Sequence, residues 1–450
     1  MRNLLIVALL VFSLNQTSAS ALSPTNGTEQ VGDNGASLSM SLTEAVDRAS
    51  RNNVMRKLAE ERINAAKGRR LQDASDMLPH LSLNAFQGRT YWDNPATIGF
   101  AEFGVIGPYN SFDARVQLAQ RVFDLSAFAK IKAANLDVLI TRLDDKLTLQ
   151  QVSLAAVLAY LDVLRAEERS RAVAQDILLA QELVNLAEHQ LSAGVVTNLD
   201  VLRSKTRLAQ EKARAQEIQR ALDAARFQLE RVVGVPLGSD VRPTDRLTFF
   251  EDAPLPIASA IETALKERAE MLIAEKRTDQ SQAQLSAATD TRLPLVELSG
   301  NYGRSGSEPN VLEHDVAQIG VRVRMPVFEG GLIEGRIREA RSRNKQNALL
   351  RDDMKVQIEE DVRLSLETLR TVTAQVKAAQ ESLDLATQQA NLARNQYSAG
   401  LTGNIEVVDA QTTLERIREE YVSALAQYHM ARVNYYSALG RIESFRLGQL

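Results

Sequence analysis

Two short stretches of the sequence, LSAGV at residues 191–195 and YSAGL at residues 397–401, carry most of the information about the fold. Both contain Ser-Ala-Gly followed by an aliphatic residue, and their glycines are 206 positions apart. A second pair of motifs, Val-Phe-Asp at 122–124 and Val-Phe-Glu at 327–329, recurs at nearly the same offset. We therefore interpret the chain of 450 residues as two similar halves.

Each half is predicted to contain a very long helix that ends at the Ser-Ala-Gly turn. From about Ala127 to Leu191 neither Pro nor Gly interrupts the sequence, which gives a helix about 97 Å long at 1.5 Å per residue. Its distal half has apolar residues at alternating spacings of four and three, the pattern of a coiled-coil seam: Val173, Ile177, Ala180, Val184, Ala187 and Leu191. The second half repeats this register at Ala379, Leu383, Ala386, Ala390, Ala393 and Tyr397. Further helices are predicted at about 41–76, 198–233 and 404–439.

Four segments alternate between apolar and polar residues, the period-two pattern of a strand with two different faces. They lie at 81–89, 113–122, 295–303 and 319–325, so each half contributes one pair. Most of them have about the 9–11 residues that a strand needs to cross a bilayer. On this feature alone, a small soluble sheet packed on the helices is an equally good interpretation.

The order of these patterns defines the domain organisation. The N-terminal stretch combines Arg2, an apolar run at 4–14 and small residues at 18–21, which is typical of an export signal and too short to span a membrane as a helix. We predict a signal peptide (1–21), a polar linker (22–40), a first repeat (41–240, strand hairpin at about 79–123), a linker (241–256), a second repeat (257–440, strand hairpin at about 293–328) and a C-terminal tail (441–450).

The composition excludes several classes of function. There are 53 Lys and Arg against 57 Asp and Glu, interspersed, so no basic surface is available to bind nucleic acid. The absence of cysteine excludes disulfides, thiolate metal sites and acylation of an N-terminal Cys. The chain has no catalytic motif, and its four histidines are dispersed, so we expect no metal, no cofactor and no enzymatic activity: His80, His189, His314 and His429.

Four strands per chain impose a condition on any membrane-spanning arrangement. A sheet of four strands cannot close on itself, and open edges are not tolerated in hydrocarbon because backbone groups find no water there. Small barrels need about eight strands, and a water-filled pore needs more. Closure must therefore come from several chains, and a homotrimer would supply twelve strands.

The two-fold repeat, the Val-Phe-Asp/Glu junctions after the strands and the Ser-Ala-Gly turns together resemble the TolC-like outer-membrane efflux protein family, over about residues 38–440. The resemblance implies a fold that is mainly α with a small β part. Long antiparallel helical hairpins would form an α-barrel, and four strands per chain would complete a trimeric twelve-stranded transmembrane β-barrel.

The resemblance also implies a function. The protein would be the outer-membrane exit duct of a tripartite efflux or type I secretion system, extending into the periplasm. Its partners would be a periplasmic adaptor, an inner-membrane RND or ABC transporter, and outer-membrane lipid. The substrate and the type of pump stay open.

Site residues follow from the resemblance by position. In the family the turns meet the adaptor, which here selects Gly194, Val195, Val196, Gly400, Leu401 and Thr402. Acidic residues after the second turn line the periplasmic gate, which here selects Glu406 and Asp409, with Asp200 and Tyr397 as further participants. Polar strand residues are expected in the barrel lumen: Arg115, Gln117, Arg121, Arg322 and Arg324. A latch arginine that the family often has after the second turn is replaced by Thr402.

Simpler interpretations of the same residues stay open. A turn glycine is also what a helix C-terminus requires, and carboxylates at i and i+3 are favoured near any helix N-terminus. For the whole chain, the alternative function is a periplasmic coiled-coil adaptor or structural tether, which would share the signal peptide and the long helices. Two strand hairpins at the same point of both repeats argue against that alternative.

Overall fold

A computed structural model describes residues 38–92, 106–251 and 253–448. The predicted signal peptide, most of the predicted linker 22–40 and residues 93–105 of the first strand hairpin lie outside this range. In chain order the elements are β1 (Leu38–Met40), α1 (Leu42–Asn52), α2 (Val54–Ser75), β2 (His80–Trp92), β3 (Ile106–Phe123), α3 (Leu125–Ser192), α4 (Asn198–Val233), β4 (Val241–Pro243), α5 (Ile257–Glu267), α6 (Ala269–Asp290), β5 (Leu295–Glu308), β6 (Val311–Arg324), α7 (Leu332–Ser398), α8 (Asn404–Ala438) and a 3-10 turn (Ile442–Ser444).

The four predicted strands form one antiparallel sheet in the order β2-β3-β5-β6. The central pair β3 and β5 joins the two halves, which leaves β2 and β6 at the edges. All four strands are longer than predicted, with 13, 18, 14 and 14 residues. The prediction for β6 began eight residues late, because pairing starts at Val311 immediately after a two-residue turn at 309–310, where the sequence does not alternate cleanly.

The long helices were predicted within a few residues. Helix α3 has 68 residues and α7 has 67, so each is about 100 Å long. Helix α3 begins directly after β3, where the Asp124 carboxylate accepts a hydrogen bond from the Ala127 amide at 3.0 Å and caps the helix. Within the described residues, α3 is the one helix long and apolar enough to span a membrane, but 56% of its apolar window is buried inside the chain.

The predicted helix 41–76 is broken at Asn53, whose backbone is extended. The same break occurs at Arg268 in the second half, 215 positions on. The Asn53 side chain caps α2 through the Met55 amide and donates to the Val232 carbonyl at the end of α4, so α2 and α4 stack end to end along α3. This confirms that two short helices together match one long helix in length.

The helices form a layer. Helix α2 packs on α3, α3 on α6 and α6 on α7; further along, α4 packs on α3, and α8 packs on both α7 and α3. In the predicted seams, Val173, Ala180, Val184 and Ala187 are buried, as are Ala386, Ala390 and Tyr397, whereas Leu191 is 37% exposed at the open end.

The segments 241–256 and 441–450, predicted as a linker and a tail, pack on the middle of the helical layer. Strand β4 pairs in parallel with β1, and Phe445 and Leu447 belong to the main core with Tyr160 and Tyr428. The Tyr160 hydroxyl donates to Asp245 at 2.6 Å, and the same carboxylate accepts from the Leu42 amide. We call this packed middle region the waist.

His429 is fully buried in the waist. Its Nε2 donates to the Thr248 carbonyl at 3.1 Å, and the Arg432 guanidinium lies 3.5 Å from Nδ1. Burial, reinforced by the positive charge of Arg432, lowers the pKa of His429 from 6.5 to about 4. The folded protein therefore keeps this imidazole neutral at pH values where an unfolded chain protonates it.

The two Ser-Ala-Gly turns have the same backbone geometry. Gly194 has φ +73° and Gly400 has φ +72°, the left-handed conformation that favours glycine. The Val195 amide bonds the Gln190 carbonyl at 2.9 Å, and the Leu401 amide bonds the Gln396 carbonyl at 2.8 Å. These hydrogen bonds satisfy carbonyls at the ends of α3 and α7, so the helix C-cap interpretation is correct for both glycines.

We predict that His429 makes the folded state sensitive to mild acid. Between pH 6.5 and about 4 the unfolded chain binds a proton that the folded chain does not, so the free energy of unfolding falls as the pH falls, by up to about 3 kcal/mol. Thermal melting followed by circular dichroism at pH 7 and pH 5 should show a smaller loss in His429→Gln than in the unaltered protein. The exposed His189→Gln is the control and should keep the full loss; equal losses in all three proteins would contradict the prediction.

We also predict opposite effects of one substitution at two glycines. Gly400→Ala should lower the stability by about 1 kcal/mol because a Cβ disfavours its left-handed backbone. Gly68→Ala should raise it by about 0.5–1 kcal/mol, because Gly68 lies inside α2 and has open space around its Cα. Denaturation by guanidinium measures both, and shifts of the same sign would be inconsistent with the turn geometry.

Candidate functional site

The two turns at the open end of the helices present their aliphatic residues differently. Val195 is 61% exposed and Leu401 is 76% exposed, as expected for residues that contact a partner. Val196 instead is half-buried against Leu183 and Val407. Thr402 is also half-buried. Of the six predicted docking residues, the structure therefore presents Val195 and Leu401 as the prominent side chains.

The two turns are tied together by side-chain hydrogen bonds. Asn404 donates to Ser204 at 3.0 Å and lies 3.5 Å from the Tyr397 hydroxyl, and Gln190 donates to the Tyr397 carbonyl at 2.9 Å. Tyr397 is 1% exposed, so its ring belongs to the core between the hairpins rather than to a gate surface. Ser204, Asn404 and Gln190 were not predicted, because nothing in their local sequence distinguishes them from solvent-exposed polar residues.

Asp200 has a local structural role. Its carboxylate accepts hydrogen bonds from the Thr197 hydroxyl at 2.7 Å and the Thr197 amide at 3.0 Å, a capping box that begins α4. These bonds, with the nearby Arg203, lower the pKa of Asp200 below its usual value. Asp200 is therefore an ionised cap that is already paired, at 3.5 Å, with Arg203.

The predicted gate pair lies on the first turns of α8. Glu406 and Asp409 are both exposed in the single chain. Glu406 occupies the position that Asp200 has in the first half, but glycine replaces the capping threonine, and a Cβ at Gly403 would lie 3.0 Å from the Glu406 carboxylate. The structure thus brings two unpaired carboxylates to one exposed helical surface beside the second turn.

A groove of about 460 Å³ lies between the beginnings of α4 and α8. Its walls include the exposed apolar side chains of Leu199, Leu202 and Ile405. Arg203 and Asp409 stand at the same groove, one from each helix. The sequence did not reveal it, because it forms only where the two hairpins of the chain come together.

The register of the sheet separates the strand residues into two faces. Leu83, Val116, Tyr302 and Ala317 lie in one row across the four strands, and Ser82, Gln117, Asn301 and Gln318 lie in the next row on the opposite face. Asn301 and Gln318 are hydrogen-bonded at 3.2 Å. The apolar face carries the most exposed aliphatic residues, among them Leu83 (76%), Ile319 (81%) and Val321 (68%).

The five predicted lumen residues, Arg115, Gln117, Arg121, Arg322 and Arg324, share the polar face by register. Not all of their charge is available to a passing solute. Arg115 pairs with Asp113. Arg121 pairs with Asp76 at 3.2 Å and Asp124 at 3.5 Å, at the end of the sheet that adjoins the helices.

Within the part of the chain that the structure describes, one acidic group has the spacing of a metal site. The carboxylates of Asp176, Glu211 and Glu415 lie within 4.8 Å of one another. Arg418 pairs with Asp176, and Arg207 pairs with both glutamates. Because guanidinium groups already neutralise these carboxylates, the group is unsuited to a cation.

Comparison with known proteins agrees with this geometry. The chain is 24% identical to the alkaline protease secretion protein AprF of Pseudomonas aeruginosa, over 82% of this chain and 76% of that protein. It is 23% identical to the outer membrane protein TolC of Escherichia coli, over 86% of this chain and 78% of that protein. The crystal structure of the Campylobacter jejuni CmeC outer membrane channel superposes with a TM-score of 0.78 at 18% identity, over 90% of this chain and 87% of that one.

The family assignment rests on a sequence profile that covers both repeats. The profile described as "Outer membrane efflux protein" matches residues 18–235 and 260–441. Both matched ranges include a strand hairpin and a long helical hairpin. The chain therefore belongs to the outer membrane efflux protein family.

Proposed function

We propose that the protein is the exit duct of a tripartite efflux or type I secretion system, conducting substrates across the periplasm and the outer membrane. Its family places it in the outer membrane. The observation that carries the proposal is the direct passage from β3 to α3, in which only Asp124 separates the strand from a 68-residue helix. Sheet and helices are thus parts of one continuous wall, as a duct requires.

The duct would be a homotrimer. The single chain leaves one edge of β2 and one edge of β6 without strand partners. Because β6 can pair with β2 of a neighbouring chain in the same way all round a ring, three chains close a barrel of twelve strands. Twelve strands exceed the number that side chains can fill, so the barrel can hold a water-filled lumen.

The apolar face of the sheet would contact lipid and the polar face would line the lumen. Exposed Leu83, Ile319 and Val321 support this orientation. Phe123 and Phe328 are exposed at the two strand-to-helix junctions, where aromatic side chains suit the surface of a membrane. The lumen would then carry Arg115, Gln117, Arg121, Arg322 and Arg324.

The helical end would meet a periplasmic adaptor. Val195 and Leu401 project from two similar turns, so a trimer presents six similar apolar knobs. The groove lined by Leu199, Leu202 and Ile405 lies beside them and offers a hydrophobic seat for a helical hairpin of the adaptor. The adaptor would connect the duct to an inner-membrane RND or ABC transporter, which would choose the substrate.

Glu406 and Asp409 would form the periplasmic gate. In a trimer they supply six carboxylates at the narrow end, and crowded negative charge attracts cations. Asp200 and Tyr397 would contribute indirectly, Asp200 by capping α4 and Tyr397 by packing between the two hairpins. No step in this function requires chemistry, so the protein would not be an enzyme.

The alternative, a periplasmic adaptor or tether, is not supported. The profile of the outer membrane efflux protein family covers both halves of the chain, and the sheet presents a face of exposed aliphatic side chains that a periplasmic protein would have to leave in water.

We predict that charge on the two faces of the sheet has unequal effects. Val321→Arg should weaken the assembled protein by about 2–4 kcal/mol if the residue lies at the bilayer midplane, whereas Gln117→Arg should have little effect. The fraction of heat-resistant trimer extracted from the outer membrane measures the difference. Equal losses, or a folded monomer with these strands exposed to water, would exclude the proposed orientation.

Conductance of the purified trimer in a planar bilayer tests the duct and its gate together. We expect a cation-selective channel that multivalent cations block, and weaker block in Glu406→Gln/Asp409→Asn. The control, Glu60→Gln/Glu61→Gln on α2, should behave as the unaltered protein. Block that persists undiminished in the gate variant would mean that these carboxylates face the outside of the helical barrel. The lumen arginines can mask ion selectivity, so block is the more discriminating measurement.

A further inference from the structure

A network of eight charged side chains joins three helices between the waist and the turns. Its four carboxylates and four guanidiniums come from α3 (Arg169, Asp176), α4 (Arg207, Glu211, Arg214) and α8 (Glu415, Arg418, Glu419). It lies where the first hairpin, α3 with α4, contacts α8 of the second hairpin. We call this contact the within-chain seam.

The ion pairs cross the seam repeatedly. Arg418 on α8 pairs with Asp176 on α3, and Arg207 on α4 pairs with Glu415 on α8. Arg207 also contacts Glu211 at 3.1 Å, on its own helix. Arg169 adds a further pair across the seam, to Glu419, and Arg214 contacts Glu419 at 3.7 Å. Each helix therefore contributes charges of both signs.

The centre of the network is buried in the single chain. Asp176 is 4% exposed and Glu211 is 2% exposed. Burial raises the pKa of Asp176 above its usual value, in spite of the opposing effect of Arg418. Since this burial arises from one chain alone, assembly with further chains does not change the partners of these groups.

The network is absent from the equivalent positions of the repeat. An offset of 206 converts Asp176 to Ser382, Glu211 to Ile417 and Glu415 to Ala209. The remaining members convert to Gln375, Thr413, Glu420, Lys212 and Ala213. In a ring of hairpins these positions form the contact between α7 of one chain and α4 of the next, which we call the between-chain seam. Its three counterparts of the central carboxylates carry no charge.

Other polar contacts reinforce the within-chain seam. Nearer the turns, Arg394 on α7 pairs with Glu182 on α3 at 2.7 Å. At the turns, Asn404 donates to Ser204 at 3.0 Å. The two hairpins of one chain are thus connected at three levels between the network and the open end.

We infer that the two hairpins of each chain move as one rigid unit, and that the helical end of the duct widens at the between-chain seams. Sliding α8 along α3 while the seam stays closed would separate buried Asp176 from Arg418, and an unpaired buried charge is strongly unfavourable. The between-chain seam has small or uncharged residues such as Ser382 and Ala209 at the matching positions, so it lacks this constraint. The inference rests on the proposed trimeric duct.

Cross-linking tests where the duct opens. The chain contains no cysteine, so Ser204→Cys/Asn404→Cys introduces the only two thiols, at positions whose side chains are 3.0 Å apart across the within-chain seam. After bridging with a short bifunctional thiol reagent, the trimer in a planar bilayer should open with a conductance and frequency within about twofold of the unbridged variant. More than a tenfold loss of openings would show that the within-chain seam itself must part, and would overturn the inference. Absence of conductance before bridging would instead refute the exit duct.

Hydrogen exchange tests the network without any channel measurement. Arg418→Gln should speed amide exchange in α8 by about tenfold or more, because it leaves Asp176 unpaired and loosens the seam. Lys212→Gln is the matched control, since Lys212 is the repeat equivalent of Arg418, and it should leave exchange unchanged. Equal acceleration in the two variants, or none in either, would show that the seams do not differ and would overturn the inference.

Discussion

The structure depends on how the two open edges of its four-stranded sheet are satisfied. Backbone N–H and C=O groups along the free edges of β2 and β6 have no strand partner within the chain, and a hydrocarbon environment offers them no water. The strand order places the first strand of the first half at one edge and the last strand of the second half at the other. One chain can therefore pair only with a copy on each side, which gives the homotrimer its physical basis.

The helices follow from the same arrangement. Both hairpins of the sheet end on one side, and each leads into a helix about 100 Å long, so the helical layer has the width of the sheet that it continues. Short helices complete this layer by stacking end to end: Asn53 at the start of α2 bonds the Val232 carbonyl at the end of α4. The waist fixes these junctions, with Asp245 joining the first segment of the chain to Tyr160 on α3.

Much of this fold could be predicted because its signals are local. Gly194 and Gly400 determine where the long helices end, and Thr197 with Asp200 determines where α4 begins. The breaks at Asn53 and Arg268 were missed because each depends on the end of a distant helix, α4 or α8. The waist was missed for the same reason, since segments that look like linkers are ordered only by packing on α3 and α8.

The site was predictable to a smaller extent. Spacing alone places Glu406 and Asp409 on one surface of α8, and alternation alone separates Gln117 from Val116. Burial could not be inferred: Val196 and Tyr397 occupy positions that the resemblance assigns to docking and gating, yet both pack against Val407. Contacts between hairpins, such as Asn404 with Ser204, depend on residues 200 positions apart in the chain.

The two halves share a backbone and differ in how they use charge. In the first half Asp200 caps α4 and pairs with Arg203, so the first turn adds little free negative charge to the narrow end. In the second half the corresponding Glu406 follows a glycine cap and Asp409 replaces the arginine, so both carboxylates are exposed. The network shows the opposite asymmetry, since its buried carboxylate Asp176 has the uncharged counterpart Ser382. A repeat that was duplicated for its shape has thus come to hold fixed charge within each chain and to present free charge at the opening.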